Sequence, residues 1–336
     1  MNGINAITSK RYFVPLVLLA VLILLAAMPQ YAPPYIVILF ISIFMYVILS
    51  MSWAAFCGPT NYISLATAAF FGIGVYTSAI LQELSLPVII VIGGLLSLLL
   101  GLLVGLIALR LRGMYFIIFT FGLSELFRHV MIYYEINITG TAGRWLTFLD
   151  PVIVFYYMLG ILLATLLVTY FLKRSKYGLA LQSIGESEEA SAHIGINVNM
   201  VKIFAFAITC FFMGAAGVVM ATRWSYIDPR LAFNPFLSFY PVVMALFGGI
   251  GRFYGPVLGA VIITILSDMV LAKFPLYNIL LLGLIFIVVI IFLPHGLVGL
   301  IRGGDKEAPP PLGEIKLGGG GKGFETVRKR LKLRKG

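Results

Sequence analysis

Polar and apolar positions along this chain do not alternate; they separate into long apolar runs broken by short polar stretches. Such runs predict helices, because a half-buried strand shows a period of two. Crossing the hydrocarbon core of a bilayer takes about 20 apolar residues of helix. On that measure ten spans are predicted, at 14–29, 35–57, 62–82, 87–109, 114–134, 152–172, 201–222, 236–250, 254–272 and 277–293. Pro29, Pro33, Pro34, Pro87, Pro151 and Pro294 fall at their boundaries, where a helix starts or cannot continue. The span at 236–250 is short for a straight crossing and is expected to be broken or re-entrant. Lys10 and Arg11 ahead of the run 14–28 imitate a secretion signal, but no clean small-residue cleavage site follows. An uncleaved first helix is therefore expected. The fold class is an all-α, polytopic transmembrane helix bundle.

Composition strengthens this picture, since 61% of the 336 residues are hydrophobic and only 11% charged. Soluble domains carry about 25% charged residues. The few charges orient the bundle. With the N-terminus inside, nineteen of the 24 Lys and Arg fall on the inner side. The positive-inside rule then predicts that both termini face the cytoplasm, in an inner or plasma-type cell membrane. Residues 1–302 form the membrane domain, with an inner loop at 173–200; 303–336 form a basic tail. That tail supplies much of the net charge of +11. Its expected company is anionic lipid headgroups, not nucleic acid. Its run GGGGKG is no phosphate loop: Lys316 stands where the first glycine is needed, and Gly323 replaces the Ser or Thr that would hold magnesium.

Two stretches are rich in small residues, CGPTNYISLATAAFFGIGVYTSAI (57–80) and NPFLSFYPVVMALFGGIGRFYGPVLGA (234–260). Each runs from a Ser-bearing polar start through small residues to a G-x-G. Small residues let helix backbones approach closely. Paired interrupted segments in two halves of a chain also mark inverted repeats around a translocation route. The candidates for that route are Ser64, Thr67, Phe70, Phe71, Gly72, Gly74 and Tyr76 in the first stretch. In the second they are Tyr240, Met244, Phe247, Gly248, Gly249 and Gly251. Close packing alone is the competing reading.

The longest polar stretch between spans, 173–200, holds Glu186, Glu188, Glu189, Ala190, Ser191 and Gly195. A short helix from Ser187 to His193 is predicted, its acids complementing the helix dipole. It is either a plain connector or a lever gripped by a partner. Glu125 and Arg128, three apart on one span, are expected to form a structural ion pair. No catalytic constellation is present: His129, His193 and His295 are isolated, and no metal-ligand spacing joins them. Cys57 and Cys210 lie in apolar runs and read as packing residues.

Four stretches resemble the permease subunits of bacterial ATP-binding-cassette importers for branched-chain amino acids, the M-type member in particular. They are 63–81, 109–130, 177–221, and 239–262 with the closing FLPHGLVG at 292–299. The resemblance implies a heterodimer with a second related permease, two cytoplasmic ATPase subunits and an extracytoplasmic solute-binding protein. ATP and magnesium would bind the ATPases, leaving this chain without a cofactor of its own. Glu189-Ala190-Ser191 and Gly195 resemble the E-A-A-x-x-x-G element of importer permeases, which implies that 186–195 couple the chain to the ATPase. Ser191 departs from the usual second alanine. The resemblance also implies that TAAFFGIG and ALFGGIG flank the route. Ala66-Thr67 replaces a frequent Gly-His there, which leaves urea, amides or other amino acids as alternative solutes. An ion-driven transporter is the alternative class; it would favour an acidic residue deep in the membrane, which only Glu125 approaches.

Overall fold

The computed structural model describes residues 23–141 and 143–277, together with 280, 281, 283, 284, 287 and 297. Within these residues the chain is a helical bundle. Its helices, in order, are α1 (Pro34–Thr60), α2 (Thr67–Ile80), α3 (Leu86–Ala108), α4 (Met114–Tyr134) and α5 (Pro151–Arg174). There follow α6 (Lys176–Glu186), α7 (Glu188–His193), α8 (Val198–Ala221), α9 (Pro229–Ala232), α10 (Phe236–Gly248) and α11 (Gly255–Lys273). Residues 23–31 are also helical, which covers the end of the first expected span. Most of the last expected span and all of the tail lie outside the described residues.

Eight expected spans fall inside them, and seven correspond to helices long and apolar enough to cross a membrane. The exception is 62–82. There the helix begins only at Thr67, and 61–66 run as non-helical chain. The departure has a local cause: α1 ends after Pro59 with Asn61 left-handed (φ 58°), its N–H returning to the Cys57 carbonyl. The helix dipeptide ladder stops there, and side chains then take over the backbone groups of 61–66. The expected span 236–250 is one helix, α10, which stops at Gly249; the short α9 precedes it, separated by residues 233–235.

Helix α8 lies at the centre. Its apolar window is 83% buried, against 22% for the window of α4. Lipid is as apolar as leucine, so packing and not hydrophobic burial selects the helix pairs. Small residues make the closest ones. Gly93 faces Val218, Gly94 faces the Phe211 ring and Gly101 faces Cys210, seating α3 along α8. Gly74 meets the Gly214 carbonyl and Gly217 meets the Phe71 carbonyl, pressing α2 against the same helix. Cys57 and Cys210 are both buried and free.

The polar stretch 173–200 holds two helices where one was expected. Ser175 caps α6 by accepting the Gly178 N–H at 3.3 Å, and Leu181 and Ile184 bury its inner face. Helix α7 starts at Glu188, with Ser187 as its cap and not its first residue. At the end of the bundle away from α7, a two-stranded ladder joins β1 (Arg144–Trp145) to β2 (Tyr226–Ile227) with Arg144 opposite Ile227.

Candidate functional site: two discontinuous helices and the helix α7

The chain at 61–66 has no helix of its own, yet its backbone is paired. Trp53 Nε1 donates to the Ser64 carbonyl at 2.8 Å, and the Leu65 N–H reaches Thr120 Oγ1 at 3.0 Å. Ser124 Oγ donates to the Leu65 carbonyl at 3.3 Å. Irregular backbone at membrane depth survives only when protein groups satisfy it in this way.

Where α2 begins, the Ala68 N–H donates to Ser238 Oγ at 3.0 Å. Ser238 lies in the first turn of α10. The two discontinuous helices thus meet N-terminus to N-terminus, deep in the bundle. Both partners are buried, Ala68 and Ser238 each at 0% exposure. Helix N-termini carry partial positive charge.

Of the candidate route residues, Ser64 and Thr67 stand next to this meeting point; the others lie further along α2, or along and just beyond α10. Ser64, Thr67, Phe70, Phe71, Gly72, Gly74 and Tyr76 are all buried. Met244, Phe247 and Gly248 are buried as well, Tyr240 and Gly249 are half-buried and Gly251 is exposed. Gly72 packs on the Phe233 ring, and Gly248 meets Gly255. Tyr76 stacks on Phe233 with ring centroids 5.8 Å apart, and Tyr240 faces Tyr46 edge-on at 6.0 Å. A small cavity of about 10 Å3 lies beside Ser64 and Thr67, closed by Trp53, Phe206, Thr209 and Met213. Thr67 Oγ1 is buried without a hydrogen-bond partner. That space takes about one water molecule.

Helix α7 is built to be held on one side and presented on the other. Ser187 Oγ accepts the Ala190 N–H at 3.3 Å, and Gly195 closes the far end with φ +90°. The Ile196 N–H reaches back to the Ser191 carbonyl at 3.0 Å, which completes a Schellman-type stop. Ser191 is fully buried, and its hydroxyl lies 2.8 Å from that of Ser183, stapling α7 to α6. An alanine could not make this bond. Glu186, Glu189, Ala190 and Gly195 are exposed, and Ile194 is 73% exposed.

Glu188 turns inward, and sequence reasoning missed its partners. Glu188 Oε1 accepts from Tyr62 OH at 2.6 Å and from Lys202 Nζ at 2.7 Å. Its Oε2 lies 3.2 Å from Arg112 Nη2. Lys202 is 1% exposed; its ammonium also reaches Tyr62 OH at 3.2 Å and the Leu109 carbonyl at 3.5 Å, and sits 4.5 Å above the Tyr62 ring. Burial pushes the Glu188 pKa up, but the hydrogen bonds from Lys202 and Tyr62 and the charges of Lys202 and Arg112 outweigh it. The carboxyl ends below its ordinary value. The available signal was Lys202 itself, a cation one turn into an apolar helix, which needs a carboxylate nearby.

Glu125 and Arg128 form an ion pair one turn apart on α4, both 27% exposed. A further cluster stands at the other end of α2. Tyr76 OH donates to Glu135 Oε1 at 3.1 Å, and Arg144 Nε lies 3.7 Å from the same oxygen. Glu135 opens a π-helical turn, Glu135–Thr139, and is 1% exposed. Among the described residues no group of three or more His, Cys, Asp or Glu is placed to hold a metal.

Comparison with known proteins supplies the remaining constraint. The family described as branched-chain amino acid transport system, permease component, matches residues 35–290. The chain is 26% identical to the high-affinity branched-chain amino acid transport system permease protein LivM of Escherichia coli K12, covering 90% of this chain and 81% of that protein. It is 28% identical to the protein of the same name from Salmonella typhimurium LT2, covering 76% and 68%. A ribose import permease, RbsC of Haemophilus influenzae, is 34% identical over only 30% of this chain and 32% of its own length. No solved structure matches. The discontinuous helices at 67–80 and 236–248 and the helix α7 all lie within the matched residues. The chain belongs to the branched-chain amino acid transport system permease family.

Proposed function

We propose that this chain is the membrane permease of an ATP-binding-cassette importer and passes branched-chain amino acids delivered by an extracytoplasmic binding protein. The observation that carries the reading is the meeting of α2 and α10 at Ala68 and Ser238 in a chain of this family. Opposed half-helices at the membrane midplane are a transporter device. A second related permease completes the pore, and two ATPase subunits bind and hydrolyse ATP. This chain does no chemistry on the solute.

The orientation proposed has both termini inside. Arg110, Arg112, Lys173, Arg174, Lys176 and Lys202 gather at the end that holds α7, and positive charge favours the cytoplasmic side. Helix α7 then faces the cytoplasm, where Glu186, Glu189, Ala190 and Gly195 meet a groove of the ATPase, with Ile194 as an apolar contact. Glu188 and Ser191 fix α7 to the rest of the chain.

The route follows the segments that carry Ser64, Thr67, Phe70, Phe71 and Tyr76 and those that carry Tyr240, Met244, Phe247 and Gly251. Gly72, Gly74, Gly248 and Gly249 serve it by letting the half-helices seat closely and shift. The solute passes when α2 and α10 part, which is alternating access. The pair Glu125–Arg128 braces α4. The bundle sits in the inner or plasma-type membrane, with the tail 303–336 at the inner headgroups.

The test is uptake of labelled leucine into proteoliposomes that hold this chain with its partner permease, ATPase and binding protein. Uptake should require ATP and the binding protein. Uptake without ATPase activity that collapses with an ion gradient would point to a secondary transporter. ATP-driven uptake of urea or short amides in place of leucine would reassign the solute within the family.

A further inference from the structure

Helix α7 is joined to its neighbours along the chain by weak points. Ser187 is extended (φ −160°, ψ 114°) between α6 and α7, and Gly195 at φ +90° has open space where a β-carbon would stand. Neither connection fixes the position of α7 by itself. The side chains do that.

All three donors of the buried Lys202 ammonium find oxygen acceptors, on Glu188, Tyr62 and Leu109. Four separate segments are thereby tied together: α7 through Glu188, α8 through Lys202, the end of α3 through Leu109, and the non-helical stretch through Tyr62. Removing one member of a buried pair leaves an uncompensated charge, so the members move together or at high cost. A second contact runs alongside, in which Asn61 Nδ2 donates to the Gly185 carbonyl at 3.1 Å. Gly185 presses on the Pro59 carbonyl so closely that no β-carbon fits.

What Tyr62 leads into is backbone with no helix or strand of its own. Residues 61–66 hold no ladder of their own and rest on the side chains of Trp53, Thr120 and Ser124. Beyond them lies the Ala68–Ser238 bond between the half-helices. A stretch with one internal bond, from the Ala66 N–H to Ser64 Oγ at 3.3 Å, shifts more easily than a helix.

We propose that Glu188, Lys202 and Tyr62 form a joint that carries displacement of α7 straight to residues 61–66 and the N-terminus of α2. These are positioning residues, and the proposal rests on the reading that α7 docks the ATPase. The movement reaches the half-helices through Tyr62, not through the α6 or α8 backbone alone.

The experiment uses the complete transporter in proteoliposomes with Lys202→Met, Tyr62→Phe, Lys202→Arg and the double variant Tyr62→Phe/Lys202→Met. Leucine taken up per ATP hydrolysed is measured for each. In parallel, a photo-crosslinker on Glu189→Cys reports docking to the ATPase. The ratio should fall about fivefold in Lys202→Met and less in Tyr62→Phe, with the crosslink kept. Lys202→Arg should restore most of it. The double variant should fall no further than Lys202→Met, because residues of one joint are not additive. An unchanged ratio with the crosslink intact overturns the joint, as does a parallel loss of uptake and hydrolysis. Absence of the crosslink in the otherwise unaltered protein overturns the docking reading instead.

Discussion

The two ends of α2 carry the same three kinds of side chain and use them differently. Just before the helix, Tyr62 stands with Glu188 and Lys202; near its far end, Tyr76 stands with Glu135 and Arg144. In the first cluster both carboxylate oxygens are engaged, Oε1 by Tyr62 and Lys202 and Oε2 by Arg112. In the second, Glu135 Oε2 and Arg144 Nε are buried without a hydrogen-bond partner. The first cluster ties four segments of chain together, whereas the second holds a π-helical turn against α2. A fully satisfied buried polar network rigidifies the segments it joins. At the α7 end the joint itself is therefore firm, although residues 61–66 beyond it are not helical; at the opposite end two polar atoms stand unpaired.

The largest effect should come from Glu188→Ala. It strands the buried Lys202 ammonium, and thermal unfolding in detergent should show a loss of about 3–5 kcal/mol. Tyr62→Phe removes a hydroxyl that donates to a carboxylate, and a loss of about 1.5–3 kcal/mol is expected in the same assay. Tyr76→Phe should cost less, about 1 kcal/mol, because its bond is longer and its acceptor less fully held. Glu135→Gln should cost least, under about 1 kcal/mol, since the amide keeps the bond from Tyr76 and Oε2 has no bond to lose. Equal losses for Glu135→Gln and Glu188→Gln would erase the distinction between the ends.

Acidity gives a further handle on the firm end. The folded pKa of Glu188 lies below its ordinary value of 4.5. A carboxyl depressed in this way contributes stability that is complete above the unfolded pKa and lost as pH falls through the folded one. The contribution of Glu188 should therefore be flat from neutral pH down to about 5 and vanish in acid below 4.5. Unfolding curves of the protein and Glu188→Gln should converge there. Curves that converge already near neutrality would mean the carboxylate is not held as described.

The spans were legible because lipid demands long apolar runs, and these cannot be hidden in a sequence. The half-helices were partly legible. The small-residue stretches marked α2 and α10, but nothing local announced that 61–66 leave the helix, since the groups that stabilise them come from Trp53, Thr120 and Ser124. The resemblance pointed to α7, and Glu188 was named among its residues. Tyr62 and Lys202 were not, because they lie 126 and 14 residues from it in the chain. Lys202 was counted as one of the inner-side positive charges, and burial gave it a different role. The glycines at 72, 74 and 248 were read as lining a route; they also fill the narrowest helix contacts, which a pattern of small residues alone does not separate from lining.

The most direct test of a firm link between α7 and the discontinuous helix is amide hydrogen exchange on the assembled transporter, with and without nucleotide on its ATPase. Protection at 61–68 should change together with that at 186–195, and Lys202→Met should abolish the change at 61–68 alone. Exchange at 61–68 that ignores nucleotide while 186–195 respond would contradict the link.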